Sequence, residues 1–171
     1  NTKTNLLIQN GINTYDKLVS IMGNLFGKIP SKEEFNHFLQ YFNEYLAYHC
    51  FFKKTVDYLS PVLLKENFEK FQKARQHTED VYKRSELFFN SLIKVIQEKE
   101  GFSNLCSLAI DELQNYIETK SLPTQELINK RFNGCVLFSN NQENIITFNF
   151  DEIEKLLSSN SLQGKVAYEG T

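Results

Sequence analysis

A chain of 171 residues is long enough to bury one substantial core without metal or disulfide staples. Its formal net charge is -2, with 41% hydrophobic and 23% charged residues, the balance of a soluble globular protein with no electrostatic footprint for nucleic acid. No apolar run approaches the ~20 residues that cross a bilayer, and no basic, then apolar, leader opens the chain, so a cytoplasmic protein with neither nucleic acid nor membrane as partner is expected. The basic pairs Lys53-Lys54 and Lys130-Arg131 read as solvated faces.

Fifteen Phe and eight Tyr against no Trp leave Phe to fill much of the core. The three cysteines, Cys50, Cys106 and Cys135, are odd in number and widely spaced. They fit a reducing compartment and are expected as buried thiols rather than as a disulfide framework.

Residues 1–13 are polar, carry Gly11 and read as a loop or loose arm. A first helix is expected over about 14–26, from Tyr15, Leu18, Met22, Leu25 and Phe26 at helical spacing, ended by Gly27 and Pro30. Ser31 and Glu34 form an S-x-x-E capping box that starts a second helix running to about Leu59. Its apolar face is too wide for a coiled-coil seam, and no sustained heptads are read. Ser60-Pro61 places an N-cap residue before a proline at the first helical position. A third long helix then runs from 61 to about 99, and Gly101 stops it. A break near His77-Thr78 is allowed, but no Gly or Pro demands it.

Shorter elements follow: a helical turn at 103–107, a helix at Ala109–Thr119 and another at Pro123–Arg131. Cys135–Phe138 and Ile145–Phe148 read as the strands of a β-hairpin around a turn-rich loop. Asp151–Leu157 reads as a short helix, Ser158–Ser161 as a hinge, and Gly164–Thr171 as the first strand of a further domain.

The expected fold class is mainly α: a helical bundle with two long antiparallel helices, followed by small helices and a two-stranded hairpin. The expected divisions are a bundle at 1–120, an appendage at 121–160, and a hinge with a truncated entry strand at 161–171. The expected core comprises Phe38, Phe42, Leu46, Phe68, Phe71, Tyr82, Leu92 and Ile96. A chain that opens on Asn and closes on an entry strand reads as excised from a longer protein.

The search for chemistry yields little. The P-loop, the dinucleotide fingerprint, the nucleophile elbow and H-E-x-x-H are all absent. His37 and His49 lie twelve residues apart, roughly 120° around one helix, so they do not share a face for a metal. His49 beside Cys50 raises a haem or metal-ligand reading, but a lone His on an apolar helix is ordinarily a packed, hydrogen-bonded core residue. His77 lies in the polar run Arg75-Gln76-His77-Thr78-Glu79-Asp80. It is either a phosphoacceptor of the four-helix phosphotransfer type or one member of a capping or interhelix hydrogen-bond cluster. Glu79 and Asp80 are adjacent and point about 100° apart on a helix, which does not suit shared acid-base work. Arg75 and Glu79 are spaced for a helical ion pair. No catalytic, cofactor-binding or metal-ligating residue is assigned.

Three stretches carry a likeness. Ala74-Arg75-Gln76-His77-Thr78-Glu79-Asp80-Val81-Tyr82 is similar to an A-R-x-x-T-E-D-x-Y helix. Ile110–Leu113 through Leu122-Pro123 to Leu127–Arg131 and the strand Cys135–Phe138 form an E-L…L-P…E-L…R passage. Leu162–Gly170 is similar to a G-x-V-A-x-x-G entry strand. In this order, over roughly residues 35–171, they resemble the helical connecting region of phosphoenolpyruvate synthase-like proteins, the PEP-utilising phosphotransferases. The resemblance implies a parent in which ATP or PEP phosphorylates a His on a swivelling domain. This chain would then be a non-catalytic scaffold whose partner is that downstream domain. None of the three His here matches the family's phosphohistidine motif, so no residue carries a family role and no cofactor is expected in this chain. The other reading is a free-standing helical sensor or interaction module that binds a small apolar ligand around His49 and the Phe-rich helices.

Overall fold

A computed structural model describes residues 2–139 and 144–147, and the chain is mainly helical. It divides into two compact units, Asn1–Leu122 and Pro123–Thr171.

The first unit contains α1 (Thr2–Leu25), α2 (Lys32–Tyr58), α3 (Pro61–Thr78), α4 (Val81–Glu100), a 3₁₀ turn (Leu105–Ser107) and α5 (Ile110–Thr119). The starts follow local chemistry. The Glu34 amide donates to Ser31 Oγ at 3.2 Å and the Ser31 amide donates to Glu34 Oε2 at 2.8 Å, closing the capping box. Ser60 Oγ accepts from the Leu63 amide ahead of Pro61. Gly101 ends α4 in the left-handed region, at φ 69°, a conformation that costs glycine nothing.

Three expectations are corrected. Residues 2–13 are not an arm; they are the first half of α1. Ile8, Gly11, Tyr15, Leu18, Met22 and Leu25 are all buried, spaced alternately by three and four residues. The same spacing recurs in α2 at Phe35, Phe38, Tyr45, His49 and Phe52, and in α3–α4 from Phe71 through Ala74, Thr78, Val81, Ser85 and Phe88 to Leu92. The buried stripes therefore do follow heptad spacing, as closely packed antiparallel helices require. Gly11 looked like a loop residue; it is a close-approach residue instead.

The long helix expected at 61–99 is two helices, α3 and α4. Neither Gly nor Pro breaks it. Thr78 Oγ1 donates back to the Ala74 carbonyl at 3.0 Å, and Tyr45 Oη donates to the Thr78 carbonyl at 3.3 Å. Asp80, at the junction, makes no side-chain cap; its carboxylate accepts from Tyr15 Oη and from Arg84 Nε. Two tyrosines from other helices thus take up groups at the junction, and φ/ψ of Asp80 moves to -84°/7°.

Pairs such as Tyr15–Tyr45, Phe51–Phe71 and Phe38–Phe88, with His77–Asp16 and Met22–Ser85, fix an up-down-up arrangement of α1, α2 and α3–α4. Of the expected core, Phe38, Phe71, Leu92 and Ile96 are buried. Phe42 and Leu46 are half-buried. Phe68 and Tyr82 are more than half exposed, because the stripe passes through Phe71 and Val81 instead.

In the second unit, α6 (Gln125–Asn133) is capped by Thr124. Strands β1 (Val136–Ser139) and β2 (Asn144–Thr147) pair antiparallel, with Val136 opposite Thr147 and Ser139 opposite Asn144. The helix expected at Asp151–Leu157, the hinge and the entry strand lie outside the described residues.

The glycines of α1 give a paired prediction. A Cβ on Gly11 would sit 2.5 Å from Phe52 Cζ and 3.1 Å from Tyr48 Cδ1, so the buried Phe52 ring or the helices themselves would have to shift. Overpacking of this kind costs about 1–3 kcal/mol, more than the ~1 kcal/mol that alanine gains over glycine in a helix. Gly23 is exposed and a Cβ there meets nothing within 4 Å. Urea titrations should show Gly11→Ala losing stability and Gly23→Ala gaining up to ~1 kcal/mol. Equal gains in both would show that the α1–α2 approach is looser than the geometry states.

Candidate functional site

A groove of about 600 Å³ lies between α2, α3 and the start of α4. Phe52 and Phe71, both buried, form its floor, and exposed Phe68 and Tyr82 stand at its mouth. Lys53, Gln72, Arg75, Gln76 and Glu79 supply its polar groups.

His49 is the informative residue. Its side chain is on the buried stripe of α2 and only 8% exposed. The Tyr82 ring meets it edge-on at 4.9 Å and Tyr45 lies 6.0 Å away. Its Nε2 is buried without a hydrogen-bond partner, which departs from the ordinary packed, hydrogen-bonded histidine expected. Burial, then the charges of Lys53 and Arg75, hold its pKa below the usual histidine value, so the ring is neutral at neutral pH.

Two exposed cations, Lys53 and Arg75, line the same groove. Lys53 Nζ lies 5.6 Å over the Tyr82 ring. Among the described residues neither Lys53 nor Arg75 has a carboxylate within ion-pair distance. The ion pair expected between Arg75 and Glu79 is not formed; Arg84 pairs with Asp80 instead, at 2.6 Å.

A second cluster lies on the α1 side of the junction. Asp80 accepts from Tyr15 and Arg84. Burial raises an acid's pKa, but these two donors outweigh it and hold the Asp80 carboxyl below the usual range. Burial and the Asp80 carboxylate push the Tyr15 hydroxyl up to about 12. Exposed His77 places Nε2 2.8 Å from Asp16 Oδ1. Asp16, Glu79, Asp80 and Arg84 line the same cleft as His77, and Lys70 and Lys73 line the one beside it. The interhelix hydrogen-bond reading describes this cluster; the phosphoacceptor reading gains nothing from it.

His37 is exposed, edge-on to Tyr41 at 4.9 Å, on another face from His49. Among the described residues no group of three or more His, Cys, Asp or Glu side chains could hold a metal. Cys50, Cys106 and Cys135 are free, and all are exposed. This overturns the buried-thiol expectation: on α2 the stripe passes through His49 and leaves Cys50 to one side. No described helix is long and apolar enough to cross a membrane.

Of the residues that surround the groove, His49 stood out in the sequence as a lone polar side chain on an apolar face. Lys53 read as part of a solvated face, and Phe68 and Tyr82 as core. They converge where α2 packs against α3 and the start of α4. No family model, curated protein or solved structure matches the chain.

Proposed function

We propose that this chain is a non-catalytic helical module that binds a small, largely apolar ligand in the groove between α2, α3 and α4. The observation that carries the reading is the buried, unpartnered Nε2 of His49 at an aromatic-lined groove. A buried polar atom left unsatisfied costs about 1–3 kcal/mol, so the Nε2 of His49 calls for a partner, and a ligand in the groove would supply one. The groove's volume falls within the roughly 300–1,000 Å³ of small-molecule sites. Exposed Phe68 and Tyr82 add apolar surface at the mouth, where a ligand would cover it. The lining holds no nucleophile hydrogen-bonded to His49, so it supplies binding and orientation rather than bond chemistry.

A scaffold role beside a swivelling phosphohistidine domain, as the sequence resemblance implies, is compatible with such a groove, but neither the fold nor the comparisons add support to it.

Nile red fluorescence tests the reading. The dye should brighten and shift to the blue with the wild-type chain, and Phe68→Glu should weaken its binding about tenfold or more, since a charge at the mouth opposes apolar burial. Phe68 is half exposed, so this variant keeps the fold, as far-UV circular dichroism would verify. A dye that ignores the wild-type chain, or that binds Phe68→Glu equally well, would rule the groove out.

A further inference from the structure

We infer that the ligand is an amphipathic monocarboxylate, an alkyl or aryl body carrying one carboxylate, held by Arg75 and Lys53 with His49 Nε2 donating to it from the buried end of the groove. The inference rests on the ligand-binding reading above and names its chemical class.

Three observations converge. The floor and mouth are aromatic (Phe52, Phe71, Phe68, Tyr82), which suits a hydrocarbon body. Two cations line the same groove, and neither is neutralised by an acid among the described residues. A cation left unpaired beside an apolar wall is the complement of an anion with an apolar tail. Guanidinium in particular presents a fork that matches the two oxygens of a carboxylate. The third is His49, more than nine-tenths buried, whose Nε2 has no acceptor. In the neutral tautomer with the proton on Nε2, it has one N–H to give and nothing to give it to.

The charge balance narrows the class. Lys53 and Arg75 contribute two positive charges to the lining and Glu79 one negative, leaving a net +1. A monoanion balances this, whereas a phosphate monoester or diphosphate would bring excess charge beside Glu79. The groove also lacks the glycine-rich turn whose backbone amides cradle phosphates.

The test is a titration of the isotope-labelled chain followed by amide chemical shifts. Two pairs of probes share a body and differ in the head group: octanoate against octanol, and phenylbutyrate against phenylbutanol. At least one acid should bind about tenfold or more tighter than its alcohol, the scale of one charge-assisted contact. Its shifts should centre on Gln72, Gln76 and the His49 ring. Arg75→Gln, an exposed change, should erase the preference, and Lys53→Gln should reduce it. If alcohols bind as well as acids, or if Arg75→Gln keeps the preference, the carboxylate assignment fails while the groove reading stands. If no probe of either kind binds, both fail.

Discussion

Phe38→Ala should be among the most damaging truncations in the bundle, lowering stability by about 3–5 kcal/mol and Tm by roughly 6–20 °C. Phe38 is fully buried, and four rings surround it: Phe88 at 4.6 Å, Phe42 and Phe89 at 5.6 Å, and Phe35 at 5.8 Å. Removing the ring deletes its own burial and strands its partners around a cavity. Neither α2 nor α4 can collapse into it without disturbing the stripe on both sides. Native domains have only about 5–15 kcal/mol in total, so this single change takes a large share. Phe68→Ala provides the contrast: the same chemistry at a side chain 51% exposed should cost under about 1 kcal/mol. Urea midpoints for the two variants decide the matter. Similar losses would mean that the ring cluster around Phe38 is not where the bundle's stability is concentrated.

What could be read from the residues alone divides along a physical line. Helix starts and stops set by neighbours in sequence were legible: the Ser31–Glu34 box, Ser60 ahead of Pro61, and Gly101. Features set by distant residues were not. Gly11 reads as a loop only until Phe52 is brought against it. The break after Thr78 depends on hydroxyls from Tyr15 and Tyr45, on two other helices. The buried stripe runs through Phe71, Thr78 and Val81, so Tyr82 and Phe68, credible core residues by their chemistry, end up at the mouth of a groove. The candidate site was legible in the same partial way. His49 was visible as an anomaly, and Arg75 and Lys53 as charges. Nothing local indicated that the three share one groove: the antiparallel pairing of the long helices was expected, but the register that brings His49 and Lys53 to the same groove as Arg75 was not.

His49→Leu should make the protein more stable and, at the same time, less responsive to carboxylate heads. An ordinary core histidine, hydrogen-bonded at both nitrogens, loses stability when replaced. A buried Nε2 without an acceptor behaves in the opposite sense: an apolar side chain of similar size removes the unsatisfied group and recovers about 1–3 kcal/mol, less any misfit against Tyr82. The gain should depend on pH. The folded-state pKa of His49 lies below the usual 6.5, through burial and then Lys53 and Arg75. The unfolded chain therefore takes up a proton that the folded chain resists, and wild-type stability falls as pH drops below about 6.5. The variant lacks this group, so its advantage should widen between neutral pH and about pH 5. Melting curves of both proteins across that range, with and without octanoate, separate the cases. Octanoate should raise the wild-type Tm clearly and the variant's by less, because the buried donor is gone while Arg75, Lys53 and the aromatic lining remain. A His49→Leu protein less stable than wild type at neutral pH would mean that the imidazole has a structural partner, and the case for a ligand at Nε2 would fall with it. A more stable variant with a weakened response to octanoate identifies His49 as a residue kept for binding at the expense of folding, the pattern expected where a site and a core share one helix.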